Sequence, residues 1–186
     1  MMQWLTEHDG VANAMAAIAS AAMAALALFV SVFSLGVALW AAHLQRRHNK
    51  LSVTPIPEVT VADFEDALRV KLRNHGSGPL LIKSLRVVGY NGGHEKLVDA
   101  LPSLPGRDWT NFSGKVDGRA LLPGSEIVLL ELAEDDGEIG FGTSRNLARK
   151  ALALAEITVS YSDIYGSRFD VYKRSLEWFG RHWAAG

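Results

Sequence analysis

The chain has 186 residues, enough for one domain of ordinary size and a smaller element beside it. A formal net charge of −1 removes any global electrostatic pull toward nucleic acid. The complete lack of cysteine excludes disulfides, thiolate metal sites and cysteine nucleophiles.

The N-terminal flank, residues 1–10, carries Glu7 and Asp9 but no Lys or Arg, and all 19 basic residues lie beyond residue 42. From Gly10 through Ala42 there are 33 residues without a charge or a histidine. A bilayer core requires only about 20 apolar residues, so residues 11–42 read as a transmembrane helix. A buried core helix is the weaker reading, because the run is long and has no polar face. A signal peptide fits poorly too, since it begins with basic residues and has a shorter apolar core. The positive charges follow the span, in the basic linker 43–57: Arg46, Arg47 and Lys50. Trp40 stands just before them, where an interfacial indole belongs. The positive-inside rule then sets the N-terminus outside and the rest of the chain in the cytoplasm.

The span itself is uneven. Its second half, LALFVSVFSLGVAL, carries the lipid-facing bulk, whereas eleven of residues 12–27 are Ala or Ser. Two rows of small residues recur at spacing four: Ala12, Ala16, Ser20 and Ala24, and Ala17, Ala21 and Ala25. Such rows let two helix backbones approach closely, which points to association with another membrane protein or with a second copy. Chance rows in an alanine-rich helix are the alternative.

Pro55 and Pro57 force the helix to stop before Thr54. The hydrophobic period then changes from 3.6 to 2. In LRVKLRN, Leu68, Val70 and Leu72 alternate with Arg69, Lys71 and Arg73, as in a half-buried strand. Asn74, Gly76, Gly78 and Pro79 form a turn cluster before the strand LLIKSLRVVGY, and Asn91-Gly92-Gly93 signals a hairpin. Residues 97–120 are irregular, with a short helix at LVDAL, and SEIVLLEL is a further strand. Residues 146–155 read as a helical crossing. In ITVSYSDIYGSRFDVYKR, Ile157, Val159 and Tyr161 share a strand face, Asp163 and Gly166 supply a tight hairpin turn beside Tyr165, and Phe169 and Val171 belong to the returning strand. Tyr172, Leu176, Phe179 and Trp183 then fall on one face of a C-terminal helix, in a tail spanning 175–186. That stripe serves either to pack on the domain or to touch lipid or a partner. The expected fold is mainly β: a transmembrane helix, then an immunoglobulin-like antiparallel sandwich over 58–174, with short helices at 146–155 and at the C-terminus.

Catalytic motifs are missing. NHGSGP lies between strands and lacks the phosphate-loop pattern, Glu134–Glu138 lacks calcium-loop spacing, and no HExxH or GxSxG occurs. No catalytic, metal-binding or cofactor-binding residue, no cofactor and no small-molecule substrate is therefore assigned. LRNHGSGPLLIKSL resembles the N-x-G-x-G-P-x-x-I segment of uncharacterised bacterial single-pass membrane proteins, and ITVSYSDIYGSRF resembles their YxDIYG hairpin. The resemblance implies a membrane anchor, a basic stop and a cytoplasmic sandwich, and no catalytic residues. The leading expectation is a non-enzymatic accessory or scaffolding subunit of a bacterial inner-membrane complex, binding its partner through the Ala/Ser-rich helix and the cytoplasmic sandwich. A ligand-sensing effector that homo-oligomerises in a stress or defence response is the rival, and a tethered hydrolase is the weakest reading.

Overall fold

A computed structural model describes the backbone of residues 2–182 and the side chains of residues 9–181. The chain divides into two compact units, Met1–Asn49 and Lys50–Gly186.

The first unit is helical. Helix α1 runs Met2–Ser52, longer at both ends than the span read from hydropathy, because the polar flanks contain no proline. Every described side chain along it, from Asp9 through Ser52, is exposed. Its C-terminus closes where the two prolines require it. The Thr54 hydroxyl donates to the Leu51 carbonyl at 3.0 Å, and Lys50 in the last turn complements the negative end of the helix dipole.

Among its described residues the second unit holds nine strands and a second α-helix. In chain order these are β1 Pro57–Asp63, β2 Ala67–Asn74, β3 Leu80–Gly89, β4 Gly92–His94, β5 Asn111–Phe112, β6 Ala120–Leu121 and β7 Glu126–Ala133. Helix α2 Phe141–Ala153, β8 Glu156–Ser162 and β9 Tyr172–Ser175 follow. All strand pairs are antiparallel, and they make two sheets: β1-β2-β7-β5, and β4-β3-β8-β9 with β6 added to the start of β3. Val59, Leu68, Val70 and Leu72 of the first sheet share one hydrophobic cluster with Leu80, Ile82, Leu85, Ile157 and Val159 of the second. Each such side chain contributes about 1.5–3 kcal/mol of burial.

Alternation along β3 changes phase once. Leu80 and Ile82 are buried, then Leu85 and Val87, and the ladder to β8 shifts register between Ile82 and Ser84. The irregularity inserts Lys83, so both apolar pairs reach the core.

Three expectations are corrected. The chain is not mainly β, since about 38% is helix and 29% strand, and α1 alone takes 51 residues. The strand after the YSDIYG turn begins only at Tyr172, so Phe169 and Val171 lie in a loop; Phe169 stacks on Tyr161 at 5.1 Å and Val171 is exposed. Tyr172 is not in the tail helix, because β8 takes residues 172–175 as its neighbouring strand and Tyr172 pairs with Val159. The tail is a 3₁₀ helix, Glu177–His182. Leu176 and Phe179 are fully buried in the core, three residues apart as that tighter helix prefers. Trp183 lies outside the described residues. β1, β5 and β6 went unrecognised in the sequence, two of them because two residues carry no periodicity.

Candidate interaction surfaces

On α1, both small-residue rows are exposed, as are Val11, Met15, Ile18, Met23, Leu26 and Phe29 interleaved with them. Trp40 is 68% exposed, and Arg46 and Arg47 are exposed beyond it. One helix is thus long and apolar enough to cross a membrane by length and composition. Its surface offers van der Waals contact and no chemistry: beyond the terminal flanks its polar side chains are few, and Ser31 donates back to the Ala27 carbonyl at 2.8 Å.

The NHGSGP turn is a junction. Asn74 is fully buried and uses all its amide capacity: Nδ2 donates to the carbonyls of Gly78 (2.8 Å) and Leu121 (3.1 Å), while Oδ1 accepts from the N–H groups of Gly76 (2.9 Å) and Ile56 (3.2 Å). Its own backbone bonds Ser125 and Gly124. A single side chain therefore ties the segment after α1, the turn itself and the β6–β7 connection. Gly76 and Gly78 are required here by close approach. A Cβ on Gly76 would stand 2.5 Å from the Ile56 nitrogen, and one on Gly78 would overlap the Val53 carbonyl. Pro79 then leads into β3. His75 is exposed, with its Nε2 2.9 Å from a Glu58 carboxylate oxygen.

The YSDIYG turn is local by comparison. Asp163 is 2% exposed, and its Oδ1 accepts from the N–H groups of Tyr165 (2.9 Å) and Ser167 (2.8 Å). Gly166 takes φ +72° and its N–H donates to the Asp163 carbonyl at 3.2 Å. Burial pushes the Asp163 carboxyl up, but hydrogen bonds from Ser167 and Tyr165 and the Lys50 charge outweigh it and hold it below the ordinary carboxylate value. Burial, with a smaller contribution from Asp170, raises the Tyr161 phenol. Tyr161 packs against the core, whereas Tyr165 is 51% exposed, with the Lys50 ammonium 5.9 Å from its ring centre. These side chains anchor a loop; no nucleophile is paired with a base here.

The structure assembles charged clusters that no sequence motif marks, one of them deeply buried. The Asp63 side chain is fully buried and accepts from Arg149 Nε (2.9 Å) and Nη2 (2.7 Å) and from Arg181 Nη2 (3.1 Å). Arg181 also lies over the Trp178 ring at 3.4 Å. The cluster fastens β1, α2 and the C-terminal 3₁₀ helix together. No sequence signal links residues separated by 86 and 118 positions. Arg107 and Glu138, both largely buried, form a second such pair, so the acidic turn 134–138 is partly a structural tie. Among the described residues no group of three His, Cys, Asp or Glu side chains is placed to hold a metal ion.

Compared with protein-family models, curated proteins and solved structures, the chain matches none.

Proposed function

We propose that the chain is a single-pass membrane protein whose second unit is an immunoglobulin-like β-sandwich, acting by binding as a non-enzymatic accessory or scaffolding subunit of a bacterial inner-membrane complex. The observation that carries the reading is the surface of α1. Over residues 9–52 its side chains are exposed, and bulky apolar groups such as Phe29, Phe33 and Leu39 are 69%, 66% and 64% exposed. Burying that surface in lipid and against a partner helix removes it from water.

The strand orders support the sandwich. Lettered by their place in an immunoglobulin-type domain, β1, β2, β7 and β5 are A, B, E and D, and β4, β3, β8 and β9 are C′, C, F and G. Such domains bind through loops and edges, which suits an accessory subunit. Flanking charge supports an outside N-terminus and a cytoplasmic domain.

Extraction in mild detergent followed by native mass measurement tests the reading. A stable complex with a second protein supports it. A homo-oligomer whose size changes with a small molecule supports instead a ligand-sensing effector, and a lone monomer counts against both. Replacing Ala16, Ser20 and Ala24 with leucine weakens assembly if that row is the contact; unchanged assembly removes the row from the interface. A single cysteine at Ser125 resists an impermeant thiol reagent in intact cells, and labelling there without lysis overturns the orientation.

A further inference from the structure

The inserted Lys83 in β3 and the loop after β8 line a cavity that is open to solvent. Its volume is about 460 Å³, and its lining includes Lys83, Ser160, Ser162, Gly166, Ser167 and Arg168. Lys83 and Arg168 are exposed and make no hydrogen bond or ion pair among the described residues. Ser162 is 4% exposed, and its hydroxyl is buried with no hydrogen-bond partner among the described residues. A buried donor left unpaired destabilises the fold, so a cavity that keeps one in its wall is suited to a ligand that accepts hydrogen bonds. Two acidic groups lie nearby: Asp163, one oxygen of which is spent on the loop's own N–H groups, and Asp170, whose charge reaches the cavity-lining Tyr161. Two unpaired cations around hydroxyl donors match the chemistry of a phosphate.

The surroundings say where the phosphate comes from. Tyr165, next to the cavity-lining Gly166, lies against Lys50, which belongs to the last turn of α1. Ile164 and Tyr165 at the loop tip are 53% and 51% exposed, and Leu51 is exposed as well. The loop tip therefore turns an aliphatic and an aromatic side chain to solvent beside the cavity, close to Lys50 at the start of the second unit. Aromatic residues with cations beside them are the usual composition at headgroup depth.

We infer that the cavity formed by Lys83, Ser162 and Arg168 behind the DIYG turn binds the phosphate of an anionic lipid headgroup, with Ile164 and Tyr165 dipping into the interface beside it. The inference rests on the membrane reading of α1. Lipid binding there would fix the domain against the bilayer surface and leave its far strands open to a partner.

The full chain, reconstituted in phosphatidylcholine nanodiscs with and without phosphatidic acid, provides the test, read by hydrogen exchange over residues 160–169. Phosphatidic acid slows exchange in that segment, and the joint substitution Lys83→Ala and Arg168→Ala lowers the apparent affinity about tenfold or more. The exposed pair Lys173→Ala and Arg174→Ala on β9 leaves the response intact; an equal loss there reduces the effect to general surface charge and overturns the site. Protection by glycerol 3-phosphate or inorganic phosphate, equal to that by the lipid in phosphatidylcholine discs, overturns the lipid source in favour of a soluble phosphate ligand. A chain that enters the discs without responding to phosphatidic acid sinks this inference alone. One that does not enter them sinks the membrane reading with it.

Discussion

Two turns in the second unit are built around a buried Asx side chain, and they stabilise the fold differently. Asn74 is neutral and bonds groups from three separated segments, at Ile56, at Gly76 and Gly78, and at Leu121. Asp163 is a carboxylate whose backbone partners, Tyr165 and Ser167, lie within four residues of it. The first is a tertiary junction that exists only when the domain is assembled. The second is a local clamp that organises its own loop. The glycines show the same contrast: Gly78 has no room for a Cβ, whereas a Cβ on Gly166 meets nothing within 4 Å and the residue is selected by φ alone.

The sharpest way to break this contrast is Gly78→Ala, whose Cβ collides with the Val53 backbone rather than with a movable side chain. A loss of about 3 kcal/mol or more in denaturant unfolding is expected, at the severe end for a single substitution; a loss below about 1 kcal/mol would show that the segment after α1 yields freely. Asn74→Ala comes next, at about 2–4 kcal/mol, because it leaves two N–H groups and two carbonyls without their partner. Its effect is the same at pH 7 and at pH 4, since no proton is exchanged.

Asp163→Asn is smaller, about 1–2 kcal/mol, as the amide oxygen still accepts from Tyr165 and Ser167 but without charge. Here pH separates the two turns. The folded carboxyl is held below its ordinary value, so its contribution is fully present above about pH 4 and is lost as pH falls through the lowered value. The difference between wild type and Asp163→Asn therefore shrinks in acid, and a difference that stays constant down to low pH would mean the charge does not stabilise the turn. Gly166→Ala has the smallest effect, about 1 kcal/mol from the positive φ, with no steric part. An effect as large as that of Gly78→Ala would erase the distinction between the two turns.

Much of the second unit is legible in local pattern. β2 and β8 alternate visibly, the Asn91-Gly92-Gly93 hairpin has its turn chemistry, and α2 includes most of the helix expected at 146–155. Errors arise where two periods coincide. Tyr172, Leu176 and Phe179 fit a helical stripe, yet the first belongs to a strand, the second fills the core from the residue between strand and helix, and the third fills it from a 3₁₀ helix. Tyr172 is held there from afar, since its hydroxyl accepts the Val59 N–H at 3.0 Å. The YSDIYG motif reads correctly as a turn but wrongly as a tight hairpin, because the loop continues past Phe169, which stacks on Tyr161 before β9 begins.

By itself the sequence determined the apolar helix, the point where two prolines end it, and the change to strand period beyond. Those features follow from composition and from interactions a few residues long. Tertiary structure alone decided that Asp63 meets Arg149 and Arg181, that Asn74 joins three segments, and that Lys83 and Arg168 face one cavity. Each of those depends on chain closure over tens of residues, where the energy of a contact is set by what packs around it and no local periodicity records the partner.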